Sequence, residues 1–483
     1  MNIAAYVKNH ANHNGNKIAI IHSNTKYTYK KIWSLIEGVC EILISKGVGK
    51  GDRVGLSMKD NPLHLIAHFS VAAIGGVIVP IDHRWTDKEK QNTSITFKIK
   101  LIITDQESPK NIKSITLKES DISEKFSPSH HIDLAYDKEL LISLSSGTTG
   151  KPKGAILSHD NLYQRFESQW RSIGFNRNDC FALLTPLFFG AGRSFAMSML
   201  VVGGMVEIAP PPHKPEEIIQ ILKKRYISAT FLPPTLLRRL IPFSLSSKPM
   251  FSQLHYLIYS GEPLHSEEVL ECLNKISSNL TGYYASSEGG GISLIKPKEL
   301  REFSNTVGSP IHQTEIKIVD DTDSIVGKNE IGKLKYRGPG VATKFIDDKG
   351  NESSTDKDGG WFAPGDLAIM LPSGHIELVG RGDDVIIRGG INIYPNEIES
   401  ILSKANEIKE VIVVGHKDGK FGEKIIAFVE TTNDFDPKKV LDYCKEHLAP
   451  YKIPEKFIKM DSLPKKESGK IDKKQLRQSL ISS

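Results

Sequence analysis

Four stretches of this 483-residue chain carry side chains that could do chemistry together. The first is Ser143-Leu144-Ser145-Ser146-Gly147-Thr148-Thr149-Gly150-Lys151-Pro152-Lys153-Gly154. Small hydroxylic residues, glycines and two lysines in one loop suit a polyphosphate. Backbone N–H groups and hydroxyls can surround its oxygens, and lysine adds charge. It is not the usual P-loop: Gly147-x-x-Gly150-Lys151 is too short, and Pro152 blocks a direct run into a helix. Read alone, it also fits an ordinary surface turn.

The second stretch is Thr281-Gly282-Tyr283-Tyr284-Ala285-Ser286-Ser287-Glu288-Gly289-Gly290-Gly291. An aromatic ring can stack on a base, hydroxyls can meet a phosphate and a carboxylate can hold Mg²⁺. Glycines let a ligand approach the backbone. The third runs from Gly360-Trp361-Phe362-Ala363-Pro364-Gly365-Asp366 through Gly380-Arg381-Gly382-Asp383-Asp384 to Arg388-Gly389-Gly390. A turn carboxylate such as Asp366 can accept two hydrogen bonds from a ribose diol. The fourth is Leu463-Pro464-Lys465-Lys466-Glu467-Ser468-Gly469-Lys470. There a lysine on a glycine-preceded turn can swing into a site. Alone, this stretch reads as a solvated basic tail.

The elements that must position these segments alternate. Ile32, Leu35, Ile36, Val39, Ile42 and Leu43 recur at helical spacing before Gly47. Residues 53–58 read as a strand, Asn61-Pro62 opens a helix, residues 77–80 read as a buried strand, and Thr86-Asp87-Lys88-Glu89 has capping-box spacing. This rhythm predicts an α/β architecture with largely parallel sheets. Residues 314–380 are richer in short strands and read as a small barrel or an appended sheet. Residues 395–447 read as helix, two strands, helix, followed by the basic tail.

Composition excludes several classes. Apolar residues make up 39% and charged residues 25%, and net charge is +6. That is ordinary for a globular protein and shows no concentrated basic face for nucleic acid. Cys40, Cys180, Cys272 and Cys444 are scattered, which fits neither a disulfide framework nor a zinc site and does fit a reducing cytosol. The N-terminus lacks a signal-peptide core, and the apolar stretches at 65–81 and 195–209 are too interrupted for a membrane span. A cytoplasmic enzyme is expected.

In this order and at these separations, the four stretches resemble the adenylate-forming superfamily, which includes acyl-CoA synthetases, adenylation domains of peptide synthetases and beetle luciferases. Tyr27-Thr28-Tyr29, Gly51-Asp52-Arg53-Val54, Asn61, Gly75-Gly76 through Pro80-Ile81-Asp82, Ser260-Gly261-Glu262-Pro263-Leu264, and Gly332-Lys333-Leu334 with Gly338-Pro339 also fit. The resemblance covers nearly the whole chain. It implies a large AMP-binding domain over 1–382, made of parallel βα sheets with a β-barrel-like subdomain, and a small mobile α+β domain over 383–483. It implies activation of a carboxylic acid by ATP and Mg²⁺ to an acyl-adenylate, then transfer to the thiol of coenzyme A.

The resemblance also carries roles. Ser145, Ser146, Gly147, Thr148, Thr149, Gly150, Lys151 and Lys153 would hold the β- and γ-phosphates. Tyr284 would stack on adenine beside Tyr283, with Gly261 and Glu262 on the opposite face. Ser287 would meet the α-phosphate and Glu288 the Mg²⁺. Asp366 and Arg381 would bind the ribose, and Lys470 would bridge the carboxylate and the α-phosphate. Asp383 would be the hinge, and Arg388, Gly389 and Gly390 would line the pantetheine path. Phe188, Phe189, Gly192, Arg193, Gly289 and Gly290 would shape the acyl pocket.

The chain departs from the pattern in places. Many members carry His where Phe189 stands, so acyl positioning must differ. The usual Tyr-Gly-x-Thr-Glu is here Tyr284-Ala285-Ser286-Ser287-Glu288, which keeps the hydroxyl. Gly390-Ile391-Asn392-Ile393-Tyr394-Pro395 matches the branch handling fatty and aryl acids, which with Pro450-Tyr451-Lys452-Ile453-Pro454 favours CoA over a carrier protein. Arg193 could pair a second carboxylate on the substrate; a structural acid or the CoA entrance is the favoured expectation for it. The rivals are a carrier-loading ligase, a non-catalytic nucleotide-binding relative, a P-loop NTPase and a luciferase-type oxygenase. No carrier domain is read after Lys470, and the sequence leaves acid and oligomeric state open.

Overall fold

The computed structural model describes the chain except residues 108–110, 123–131, 133, 147–151, 212, 263, 355–358, 389–390, 419–421, 432–434, 449, 467–469 and 481–483. An uncapped helix, Ala4–His13, opens the chain without a sequence signal, and capping opens the next three helices where the sequence predicts them. Thr28 accepts from the Lys31 N–H at 3.2 Å and opens Tyr29–Ser45, whose buried face holds Ile32, Leu35, Ile36, Val39, Cys40 and Leu43. Asn61 accepts from the His64 N–H at 3.2 Å and opens Pro62–Ala73, which is buried along its whole length. Thr86 and Glu89 form the expected capping box. The apolar stretch from Leu65 is therefore an internal helix leading into the strand Val77–Pro80. Among the described residues no helix is long and apolar enough to cross a membrane.

Two large mixed sheets form the main body. The eight-stranded sheet runs Glu352–Ser354, Lys344–Ile346, Pro152–Ser158, Glu139–Ser146, Val77–Pro80, Arg53–Ser57, Leu101–Thr104, Ser114–Thr116. Its pairings from Glu139–Ser146 to Ser114–Thr116 are parallel. The nine-stranded sheet places Leu280–Ser286, Tyr256–Tyr259, Ala229–Phe231, Cys180–Leu183, Met205–Ile208 and Ile18–His22 side by side and parallel, with antiparallel strands at both edges. One apolar core spans both sheets and the helices between them, including Phe69, Phe166, Phe181 and Phe195.

The segment expected as a barrel or appended sheet is a four-stranded antiparallel sheet, ordered Glu315–Val319, Ile331–Arg337, Asp366–Met370, Ile376–Arg381. It packs Ile292, Ile318, Leu334, Tyr336, Ala368 and Ile376 into its own core. The C-terminal part is built on a separate sheet whose long strands, Ile408–Asp418 and Gly422–Thr431, pair antiparallel. Period-2 alternation splits their side chains. Val411 and Val413 pack with the helices Pro395–Leu402 and Pro437–His447, whereas Ile412 and Val414 pack with Leu476 on the other face.

The basic tail differs from expectation. It contains a strand, Lys456–Met460, parallel to Gly422–Thr431, and a helix, Lys473–Ser479. Asp472 caps that helix, accepting from the N–H groups of Lys474 and Gln475 at 3.1 and 3.2 Å. Leu476 anchors it, and Lys473 and Arg477 reach Asp384 at 3.2 and 2.8 Å.

Candidate active site

Four of the chemistry-bearing segments leave the carboxyl ends of parallel strands, where open α/β sheets place their ligands. Ser260-Gly261-Glu262 follows Tyr256–Tyr259, Ser287-Glu288 follows Leu280–Ser286, and the loop to Arg193 follows Cys180–Leu183. The phosphate loop follows Glu139–Ser146. Its stems pair Ser145 with Lys153 and Ser146 with Pro152. Gly147, Thr148, Thr149, Gly150 and Lys151 lie outside the described residues, as do Gly389 and Gly390.

Tyr284 and Asp366 meet. The Tyr284 hydroxyl donates to Asp366 Oδ2, so one bond orients both the ring and the carboxylate. Asp366 opens one strand and pairs in register with Arg381, which closes the next. Arg381 Nε faces Asp366 Oδ1 at 3.8 Å, and its Nη2 donates to Pro364 O at 3.0 Å. Gly365 between them adopts φ +88°, a conformation open to glycine. Burial raises the Asp366 carboxyl above its ordinary value, against the Tyr284 hydrogen bond and the Arg381 and Lys470 charges.

Lys470 arrives from the C-terminal part. Its hairpin is closed by the Lys465–Ile471 bridge and by Lys466 N–H donating to Lys470 O at 2.7 Å. Its Cε lies 3.9 Å from where a Cβ on Gly261 would stand. Solvent reaches part of the side chain, yet the surrounding protein lowers its ammonium below the ordinary lysine range. Desolvation is the largest cause, opposed by Glu262 and Asp366 and aided by Arg381. Burial raises Glu262 in turn, opposed by Arg238, Lys465 and Lys470. A lysine of one part thus faces two carboxylates of the other.

The Ser287–Glu288 turn is held from behind by Arg165, which no sequence motif marks. Arg165 is buried on His159–Ser172 and donates to Gly340 O at 2.8 Å, Ser287 O at 3.3 Å and Glu288 O at 2.5 Å. The Glu288 side chain makes no hydrogen bond or ion pair among the described residues, so its carboxylate is available to a cation. Arg165→Met should strand the carbonyls of Ser287 and Gly340, each costing roughly 1–3 kcal/mol if unsatisfied, whereas Glu288 O keeps the Ala342 N–H at 2.9 Å. Relief of a buried charge offsets part of this. A net loss of about 2 kcal/mol is expected, seen in calorimetry as a lower thermal midpoint, together with a raised KM for ATP. An unchanged midpoint and KM would mean the turn is held by other groups.

Several expected site residues sit elsewhere. Tyr283 points into the core, 5.8 Å from the Phe195 ring, because neighbours on a strand face opposite sides. The three glycines after Glu288 leave room for side chains of the protein. A Cβ on Gly289 would stand 2.2 Å from Tyr336 and one on Gly291 2.0 Å from the Tyr283 hydroxyl. Gly290 takes φ +73° against Arg165. Gly192 packs on its own loop, its Cβ position 2.6 Å from Thr185 O and Pro186 O. Phe188 and Phe189 do form an aromatic wall, with centroids 4.5 Å apart and Arg84 over Phe188 at 5.3 Å. Arg388 lies on Ile386–Arg388 and pairs with Glu455 at 2.7 Å. Arg193 is buried and makes no ion pair among the described residues, contrary to the expected structural acid.

The main body and the C-terminal part bury separate cores, and Lys470 of the second faces Asp366 of the first. Residues 7–345 match the AMP-binding enzyme family and residues 397–470 its C-terminal domain; the chain belongs to that family. It is 26% identical over 469 residues to the 2-succinylbenzoate–CoA ligase of Listeria innocua, covering 95% of this chain and 96% of the relative. The corresponding ligase of Bacillus cereus is 26% identical over 463 residues, covering 96% and 95%. Among solved structures, ATP-bound MatB from Rhodopseudomonas palustris superposes with a TM-score of 0.89 at 24% identity, covering 99% of both chains. The o-succinylbenzoate CoA synthetase of Bacillus subtilis with its acyl-adenylate OSB-AMP gives 0.87 at 24% identity, covering 99% and 98%. Apo MatB gives 0.77.

Proposed function

We propose that this enzyme activates a carboxylic acid with ATP as an acyl-adenylate, releasing pyrophosphate, and passes the acyl group to the thiol of coenzyme A. The observation that carries the reading is Lys470, brought from the C-terminal part to Gly261, Glu262, Asp366 and Arg381. Binding a nucleotide alone does not require a lysine there.

A carboxylate is a poor electrophile because it is anionic and its leaving group is oxide. Attack of its oxygen on the α-phosphate of ATP breaks the bond to pyrophosphate and creates a good leaving group, AMP. Tyr284 presents its ring to adenine while its hydroxyl holds Asp366, which receives the ribose diol with Arg381. Ser145, Ser146 and Lys153 flank the triphosphate, and Ser287 meets the α-phosphate. Glu288, whose side chain has no hydrogen bond or ion pair among the described residues and whose backbone is fixed by Arg165 and Ala342, is the residue that would hold Mg²⁺; one carboxylate plus substrate phosphates suits that ion. When bound, Mg²⁺ neutralises phosphate charge. Lys470 offsets the negative charge that builds between carboxylate and α-phosphate.

The division falls at 382/383, with Asp383 as pivot and Arg388 beside the thiol's path, in a cytoplasmic enzyme. A carrier-protein thiol remains the second acceptor to test. The protein with ATP, Mg²⁺, a carboxylic-acid mixture containing 2-succinylbenzoate, and CoA is expected to yield AMP and an acyl-CoA by mass spectrometry. Acyl-adenylate without acyl-CoA would overturn CoA as acceptor in favour of the carrier protein.

A further inference from the structure

We propose that Arg193 receives a second carboxylate on the acid, making this a ligase selective for dicarboxylic acids. The inference rests on the adenylating function proposed above and names its substrate class.

Arg193 stands in the first turn of Gly190–Val202, directly after the Phe188–Phe189 wall, and is only 4% exposed. Its Nη1 donates to Leu187 O at 3.2 Å and Phe188 O at 3.1 Å, which fixes the guanidinium against that loop. Nε and Nη2 donate to nothing among the described residues. These two coplanar N–H groups form the edge that takes a carboxylate with two parallel bonds. No acidic side chain among the described residues pairs with it. The charged neighbour that acts on it is Arg165, of the same sign, which already serves Ser287, Glu288 and Gly340. Burial, with Arg165 nearby, pushes Arg193 down to about 9.

The surroundings are polar without being satisfied. Thr185 Oγ1, 3.0 Å from the Cβ position of Gly192, is buried and has no hydrogen-bond partner among the described residues. Removing a cation from water is costly unless an anion meets it. Among the described residues the protein supplies none, which leaves that edge for an anionic group of the ligand. Arg193 binds the Phe188–Phe189 loop, and its charged neighbour Arg165 holds the turn carrying Ser287.

The test is ATP–pyrophosphate exchange by the full chain with Mg²⁺, using straight-chain diacids and 2-succinylbenzoate, each matched to the monoacid that lacks the second carboxyl. The native enzyme is expected to favour the diacid of its best pair by about 100-fold in kcat/KM. Arg193→Met is expected to erase that preference, chiefly through the diacid's KM, lowering exchange with the diacid far more than with the matched monoacid. Arg193→Lys keeps part of the preference. Native exchange with monoacids equal to or better than with their diacids overturns the inference and leaves the ligase function standing. So does an equal loss for both series in Arg193→Met, which a strut for the Phe188 loop would cause. Exchange with no acid of either series overturns the adenylating function itself.

Discussion

Lys470→Ala is expected to lower acyl-adenylate formation by about 10²–10³ while thioester formation from supplied acyl-adenylate and CoA stays within a few-fold of the native rate. The asymmetry follows from where the charge develops. In the first half-reaction a carboxylate and a phosphate, both anionic, approach one another, and the bond-forming oxygen gains no proton. A preorganised ammonium at that point is worth about 3 kcal/mol. Lys470 is placed there before any substrate arrives, with Glu262 and Asp366 as its attractive neighbours and solvent still reaching its side chain. In the second half-reaction a thiolate attacks a neutral carbonyl and AMP leaves carrying the negative charge; on the hinge reading that step runs in an arrangement from which Lys470 has withdrawn. Measuring pyrophosphate exchange and thioester formation separately resolves the two. Equal loss of both would remove Lys470 from its assigned role and leave it as a general contributor to nucleotide binding.

Much of the scaffold was legible from local signals. Asn61 before Pro62 and the Thr86–Glu89 pair are short-range caps, and each opens a helix where spacing alone put it. The two faces of the C-terminal sheet follow from alternation at Val411, Ile412, Val413 and Val414. What escaped was long-range. Lys473–Ser479 looked like a solvated tail because a single apolar side chain, Leu476, anchors it among lysines. Tyr283 and Tyr284 are adjacent, and a period of two already implies that one of them faces inward; the aromatic pair drew attention from that rule. The glycines after Glu288 were read as space for a ligand, whereas Tyr336 and Tyr283, distant or opposite in the chain, fill it. Arg165 lies in a helix of mixed polarity, and nothing local marks an arginine whose partners are carbonyls more than 120 residues away.

Asp383→Pro is expected to retain adenylation within a few-fold and to lower the thioester half-reaction by about 100-fold. The reason lies in how the chain is anchored on either side. Gly382 N–H donates to Gly365 O at 2.8 Å, tying that residue to the turn that carries Asp366. Asp384, one step beyond residue 383, is tied to Lys473 and Arg477 of the last helix, and so moves with the C-terminal part. A rotation of one part against the other must then be absorbed in the backbone between them. Gly382–Asp384 forms a single 3₁₀ turn, whose φ lies close to the value proline imposes, and the preceding residue is glycine, which tolerates a following proline well. Proline therefore fits the arrangement in which Lys470 faces Asp366 and resists departure from it. The half-reaction that needs Lys470 continues, and the one that needs a different arrangement stalls with acyl-adenylate accumulating on the enzyme. Asp383→Ala, which frees the same dihedral, is the control and is expected to run both steps. Survival of both steps in Asp383→Pro would place the pivot elsewhere. Loss of both steps in a normally folded Asp383→Pro protein would show that the turn must flex even for adenylation.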